Sequence, residues 1–143
     1  MFKNIMVAID LSESSSQVLA KTVAIITENK ANYQVVCCYE PVIGMMTEMS
    51  LPITGFDDSQ VREAMETRLA ELVEQAGLDK QKIRLIENIV GPGLCQHAEL
   101  FKADLMIVGS HSRHGIRLLL GSTANYVLHH AVCDVLAVKI QRE

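Results

Sequence analysis

The feature that most constrains the fold is an alternation of short apolar runs with helical patterns. Between successive runs, apolar residues recur at the three- and four-residue spacing of a helix face, as in Leu19, Val23 and Ile26. The five runs, which predict strands, are Asn4–Ile9, Tyr33–Tyr39, Ile83–Ile89, Asp104–Val108 and Val135–Ile140. This alternation predicts an α/β fold, a single doubly wound five-stranded parallel sheet with helices on both faces. The length of 143 residues predicts one domain, 1–143.

The other three helices are indicated in the same way. The second ends near Gly77, and Asp58 or Ser59 can cap its start. Gly91-Pro92-Gly93 reads as a turn before the third helix. The apolar positions of these helices are Val61, Met65, Leu69, Leu72 and Ala76, then Leu94, Ala98 and Phe101, then Ala124, Val127, Leu128 and Ala131.

Polar residues follow two of the predicted strands. In a doubly wound sheet, ligands bind beyond the carboxyl ends of the strands, where the strand order reverses. Asp10 and Ser12 follow the first strand, and the segment Gly109–Gly121 follows the fourth. Asp10 can contact a ribose hydroxyl or hold a metal through water, or else Asp10 or Ser12 caps the first helix.

The segment after the fourth strand has the composition of a phosphate-binding loop. Gly109 and Gly115 punctuate it, Arg113 and Arg117 supply positive charge, and Gly121-Ser122-Thr123 opens a helical pattern. Exposed backbone N–H groups and the positive end of a helix favour an anion there. The turn after the first strand contains neither G-x-G-x-x-G nor G-x-x-x-x-G-K-[ST], which disfavours an NAD-type dehydrogenase and a P-loop NTPase.

Composition excludes several classes of partner. A formal net charge of −4 without a dense Lys/Arg run disfavours nucleic acid as the main partner. No apolar segment approaches the roughly 20 residues of a membrane-spanning helix, and Ile5–Ile9 is too short for a signal-peptide core. The four cysteines lack CxxC spacing, and adjacent Cys37 and Cys38 should point to opposite faces of their strand. We expect a cytoplasmic protein with packed, reduced cysteines.

Three further segments lead to expectations. His111-x-x-His114 lacks a third ligand at close spacing, so no functional metal site is predicted. The irregular segment Pro41–Asp57, which contains three methionines, is either a lid or partner-binding loop or a plain surface loop. Val135–Ile140 is apolar on both faces, so either it pairs with another chain or the N-terminal or methionine-rich segment folds over it.

Four blocks in order resemble the universal stress protein family, and the resemblance covers the whole chain. It implies a sheet of order 3-2-1-4-5, related to adenine nucleotide alpha hydrolases, and a homodimer paired through the last strand, Val135–Ile140. The blocks that carry the resemblance are Ile5–Ser14, Ala103–Arg113, Gly121–Leu128 and Cys133–Lys139.

Many members of that family bind ATP through a G-x2-G-x9-G-[ST] motif, which implies a cofactor site of ATP, with Mg²⁺ as a companion ion. By this resemblance Gly121, Ser122 and Thr123 would hold phosphates, and Asp10 would face the ribose and adenine. Ser112 replaces the second glycine, and eight residues rather than nine separate it from Gly121. The implied cofactor-binding residues are Ile9, Asp10, Pro41, Val42, Val108, Gly109, Ser112, Arg113, Gly121, Ser122 and Thr123.

The sequence contains no convincing catalytic set. The resemblance therefore implies a stress-response sensor or regulator with an unknown protein partner, capable at most of slow ATP hydrolysis or self-phosphorylation near Gly109–Thr123. An AMP-transferring enzyme would need glycine in Leu11–Ser15, and a receiver domain would need an acid in Asn88–Gly91. The alternative is an interaction protein that binds no nucleotide because its phosphate loop is degenerate, as Ser112 suggests.

Overall fold

The computed structural model describes residues 1–40, 58–110 and 121–141. Within these ranges, strands and helices alternate along the chain as the sequence predicts. The elements are β1 (Asn4–Ala8), α1 (Ser15–Asn29), β2 (Asn32–Tyr39), α2 (Asp58–Gln75), a 3₁₀ turn (Lys80–Lys82), β3 (Ile83–Glu87), α3 (Val90–Phe101), β4 (Leu105–Ser110), α4 (Ser122–His130) and β5 (Asp134–Lys139).

The five strands form one parallel sheet of order β3-β2-β1-β4-β5, which confirms the predicted fold class and order. β1 lies at its centre, and Ile5, Met6 and Val7 are fully buried because helices cover both faces. One core lies between the sheet and α1–α2, and the other lies between the sheet and α3–α4.

The adjacent cysteines of β2 contribute to different cores. Cys37 packs in the α1–α2 core and Cys38 in the α3–α4 core, so the predicted opposite orientation is confirmed. Burial raises the pKa of the Cys37 thiol to about 12 and that of Cys38 to about 11. Both thiols are therefore protonated near neutral pH, which slows their reactions as nucleophiles.

The largest departure from the predicted elements is at the start of α3. Gly91-Pro92-Gly93, predicted as a turn, forms the first turn of the helix. Proline is compatible with this position because the first N–H groups of a helix have no intrahelical acceptor. β4 is also longer than predicted, since Gly109 and Ser110 pair with Val138 and Lys139. β1 and β3 end earlier than predicted, and β5 begins and ends one residue earlier.

Side chains close the amino ends of the strands. The carboxylate of Asp104 accepts hydrogen bonds from the N–H of Lys3 at 2.8 Å and of Asn4 at 2.9 Å. Partial desolvation raises the pKa of Asp104, but these backbone hydrogen bonds outweigh it and the net pKa is lowered. At the same end, α2 is followed by Gly77 with φ +82, consistent with its predicted role as helix terminator.

The two outer strands of the sheet differ in character. On β3, the guanidinium of Arg84 donates to the carbonyls of Ile83 at 2.6 Å and Gln81 at 3.3 Å, so the chain itself occupies these acceptors. β5 pairs only with β4 in the part of the chain that is described, and Leu136 on it is 37% exposed. Val135 and Ala137 of this strand pack on the α3–α4 core and Val138 packs on the α1–α2 core, so apolar side chains lie on both of its faces.

Candidate functional site

A cavity of about 180 Å³ lies at the carboxyl ends of β1 and β4. The strand order reverses between these two strands, so this is the position at which a doubly wound sheet binds its ligands. The residues that line it are Ala8, Ile9, Asp10, Ser14, Ser15, Val18, Cys38, Val90, Leu94, Val108, Gly109, Thr123 and Ile140.

The cavity brings together five of the residues that the sequence proposed for a cofactor site. They come from three segments: Ile9 and Asp10 after β1, Val108 and Gly109 in β4, and Thr123 in α4. Gly121 and Ser122 lie beside Thr123 at the start of α4, outside the cavity lining. The remaining proposed residues, Pro41, Val42, Ser112 and Arg113, lie outside the described residues.

Three helices begin at this cavity. Ser15 of α1, Val90 of α3 and Thr123 of α4 each lie in a first turn and line it. The N-cap residues Ser14, Ile89 and Gly121 make no side-chain capping hydrogen bond, and these three first turns, all described, contain no acidic residue. The positive ends of three helix dipoles therefore border one space, an arrangement that favours an anionic group. At α1, the N–H groups of Ser15 and Gln17 already donate to the carbonyls of Ser12 and Ser14.

The carboxylate of Asp10 is held within the loop after β1. Its Oδ1 accepts hydrogen bonds from the N–H and Oγ of Ser12, at 3.0 and 2.6 Å, and from Oγ of Ser15 at 3.2 Å. Leu11 turns the chain here with φ 66, a left-handed conformation that is strained for leucine. Ser14 is the N-cap of α1, so neither Asp10 nor Ser12 has the capping role considered from the sequence.

The rest of the cavity is mainly apolar, with Val18, Leu94, Val108 and Ile140 on its walls. Such a surface suits a flat, uncharged group such as a nucleobase better than a phosphate. Gly109 leaves no room for a side chain, because a Cβ there would lie 2.9 Å from Cδ1 of Ile140 and 3.1 Å from Cγ2 of Val18.

Ile140 is held in place by the chain after β5. Gln17 of α1 donates from Nε2 to the carbonyl of Gln141 at 3.0 Å and accepts from its N–H at 2.8 Å. The N–H of Ile140 also donates to the carbonyl of Ser110 at 3.2 Å. Sequence reasoning missed this support of the cavity wall, because Gln17 and Gln141 are 124 positions apart and show no shared pattern.

The comparison with known proteins identifies the family. The family model described as the universal stress protein family matches residues 1–139. The chain belongs to the universal stress protein family. This confirms the resemblance inferred from the four sequence blocks.

Two universal stress proteins of Coxiella burnetii are similar over nearly their whole length. Universal stress protein A homolog 1 is 33% identical over 138 residues, covering 96% of each chain. Homolog 2 is 34% identical over 146 residues, covering 98% of this chain and 97% of the relative. A universal stress protein solved in complex with cAMP has the same fold, with a TM-score of 0.68 at 23% identity and 98% coverage of each chain.

The described part of the site of this universal stress protein shows no cluster of metal ligands. Among the described residues, no three His, Cys, Asp or Glu side chains are grouped so that they could hold a metal ion, whereas His111 and His114 lie outside them. The helices that the structure describes also include none long and apolar enough to cross a membrane.

Proposed function

We propose that this universal stress protein binds an adenine nucleotide, ATP with Mg²⁺, in the cavity between β1 and β4. The observation that carries the proposal is the convergence of three uncapped helix N-termini on one largely apolar cavity. A fold relative in complex with cAMP supports an adenine nucleotide as the ligand class.

The size and charge of the cavity indicate how a nucleotide would lie in it. About 180 Å³ is below the roughly 300–1,000 Å³ of a site that encloses a whole ligand, so it fits the nucleoside rather than the triphosphate. The Asp10 carboxylate would repel phosphates but can accept hydrogen bonds from ribose hydroxyls. The phosphates would then extend to the N–H groups of Gly121, Ser122 and Thr123.

The remaining proposed residues complete this arrangement. Ile9 and Val108 would pack against the base, Gly109 would allow the ligand to approach β4, and backbone at Pro41 and Val42 would meet the adenine edge. Ser112 and Arg113 would meet the phosphates, with Arg113 supplying the positive charge that the cavity lining lacks. We assign the module a regulatory role in a cytoplasmic stress response, acting through a protein partner, because the sequence contains no convincing catalytic set.

Calorimetric titration tests this proposal. Nucleotide-stripped protein would be titrated with ATP and Mg²⁺, AMP, cAMP, adenosine and GTP, beside a Gly121→Asp variant. We expect micromolar affinity for ATP, weaker binding of adenosine, and loss of ATP binding in the variant with adenosine binding retained. Absence of heat from folded wild-type protein would contradict the proposal.

We also propose that the protein is a homodimer paired through the last strand, which is predicted as Val135–Ile140 and observed as Asp134–Lys139. Leu136 on this edge and Val132 just before it are 37% and 72% exposed, and a partner chain would bury them. Sedimentation should show a dimer that Leu136→Lys converts to monomer. Glu87→Lys on β3, the matched control at the other edge, should leave the dimer unchanged.

A second candidate is an interaction protein that binds no nucleotide. Ser112 in place of the family glycine, and the eight-residue spacing to Gly121, favour it, because serine reaches left-handed backbone conformations less readily than glycine. A folded dimer that gives no heat with any nucleotide would select this candidate.

A further inference from the structure

The first turn of α3, Val90-Gly91-Pro92-Gly93, contains two glycines, which are poor helix formers. Glycine costs about 1 kcal/mol relative to alanine inside a helix, so packing must favour it here. A Cβ on Gly93 would lie 2.7 Å from Sγ of Cys38 and 2.9 Å from Cβ of Asn88. Glycine therefore lets this turn approach the sheet more closely than a side chain would allow.

Gly91 allows a similar approach to α4. A Cβ on Gly91 would lie 2.5 Å from Cδ1 and 2.6 Å from Cγ of Tyr126. These atoms belong to a rigid ring near its attachment point, so they cannot move aside as the tip of a flexible side chain can. The ring is also stacked on His130, with centroids 4.1 Å apart and planes inclined by 16°. Tyr126 is thus a fixed spacer between the backbone of α3 and α4.

This contact lies directly behind the cavity. Val90, which precedes Gly91, lines it from α3, and Thr123, one turn before Tyr126, lines it from α4. Neither first turn has a side-chain cap to hold its direction. Gly91 and Tyr126 therefore bring the backbone of α3 close to α4 beside these two helix starts.

We propose that Gly91 and Tyr126 are a positioning pair that holds the N-termini of α3 and α4 at the spacing the ligand requires. The inference rests on the proposed nucleotide site and assigns to it two positioning residues that do not contact the ligand. A Cβ at Gly91 would push the first turn of α3 away from α4, so Val90 and Thr123 would no longer border the same space at the same distance.

A size exchange between the two positions tests the pair. Gly91→Ala should weaken ATP binding about tenfold, because the new methyl group displaces the helix start. Tyr126→Met replaces the rigid ring with a flexible chain that can yield to a methyl group. The double variant should therefore bind ATP within about threefold of Tyr126→Met alone. Tyr126→Phe keeps the ring and should bind like wild type.

Gly77→Ala is the matched control for loss of stability. It makes the same substitution at the far end of the sheet, where φ is +82 and no atom lies within 4 Å of the added Cβ. Strain at this left-handed position should lower the melting temperature without changing ATP affinity. Unchanged affinity in Gly91→Ala, or a double variant no better than Gly91→Ala, would overturn the proposal.

The alkylation rate of Cys38 provides a reading that needs no nucleotide. Its thiol lies in the cavity lining and packs against Gly93, so a displaced α3 should expose it. Peptide mapping after iodoacetamide treatment should show faster Cys38 modification in Gly91→Ala than in wild type or Gly77→Ala, and a wild-type rate in the double variant. If wild type binds no nucleotide, the proposed function fails and these rates alone decide the positioning proposal, with equal rates refuting it.

Discussion

The two ends of the sheet have opposite hydrogen-bonding character. At the amino ends of the strands, side chains pair with the backbone: Asp104 accepts from Lys3 and Asn4, and Asn29 accepts from the N–H of Phe2 at 3.0 Å. At the carboxyl ends, three helices begin without a side-chain cap around a cavity. At the amino ends, side chains of the protein thus accept hydrogen bonds from backbone N–H groups. At the carboxyl ends, backbone N–H groups at the helix starts remain available for a ligand.

This difference separates stability from binding. Groups at the amino end gain nothing from a ligand, so changing them should alter only the free energy of unfolding. Donors at the carboxyl end stabilise the fold little, because water can satisfy them when no ligand is present. Variants at the two ends should therefore change different measurements, and the comparison fails if they do not.

The largest effect is expected for Gly121→Asp at the carboxyl end. The new carboxylate would lie where the phosphates are proposed to bind, and like-charge repulsion should weaken ATP binding by about 100-fold or more. Gly121 has φ −58 and ψ 157, a conformation that aspartate adopts readily, and aspartate caps helices better than glycine. Thermal unfolding should therefore show stability equal to or slightly above wild type. Asn32→Asp, with the same charge change at the amino end, should leave ATP affinity unchanged.

Asp104→Ala at the amino end should have the reverse effect. It removes two hydrogen bonds to a carboxylate and should cost about 2 kcal/mol in urea unfolding, with ATP affinity unchanged. A variant that loses affinity while keeping its stability would contradict the division between the two ends.

The pH dependence of stability tests whether the negative charge of Asp104 is the cause of this stabilisation. The pKa of this carboxyl is lowered in the folded protein, so its contribution is present above the ordinary value of 3.8 and is lost as pH falls through the folded pKa. The stability difference between wild type and Asp104→Asn should be full at pH 7 and should shrink below about pH 4. A difference that stays constant down to pH 2.5 would show that shape rather than charge is responsible.

The smallest effect is expected for Gln17→Met, which tests a position that should affect both stability and ATP binding. It removes the two hydrogen bonds to Gln141 that hold Ile140 in the cavity wall. Partial exposure limits the loss of stability to about 1 kcal/mol, and a looser wall should weaken ATP binding about threefold. Lys21→Met, one exposed turn further along α1, should change neither quantity.

The sequence predicted the fold well because its signals are local or periodic. The alternation of runs and helix faces predicted the element order. The strand order came from the family resemblance. Segment boundaries at glycine were less accurate, since Gly109 was read as loop although it pairs with Val138 in β4.

The site was only partly predictable, because much of it depends on contacts between distant residues. Asp10 and Gly109 follow from their positions at strand ends, and both line the cavity. Gly91 and Gly93 indicate a turn by composition, but in the structure they lie in a helix and pack closely on Tyr126 and Cys38, which no local pattern connects to them. The same limit applies to Ile140, whose place in the wall depends on Gln17.

The capping of β3 by Arg84 has a consequence for how many copies can assemble. A sheet with two open edges can add chains indefinitely, because every added chain presents a new edge. Here the Arg84 guanidinium occupies the carbonyls of Gln81 and Ile83 at the start of β3, whereas β5 pairs only with β4 in the described part of the chain. If two copies pair through β5 as proposed, the start of the β3 edge is a less favourable place for a third copy to add, so a closed two-fold pair is favoured over a fibre.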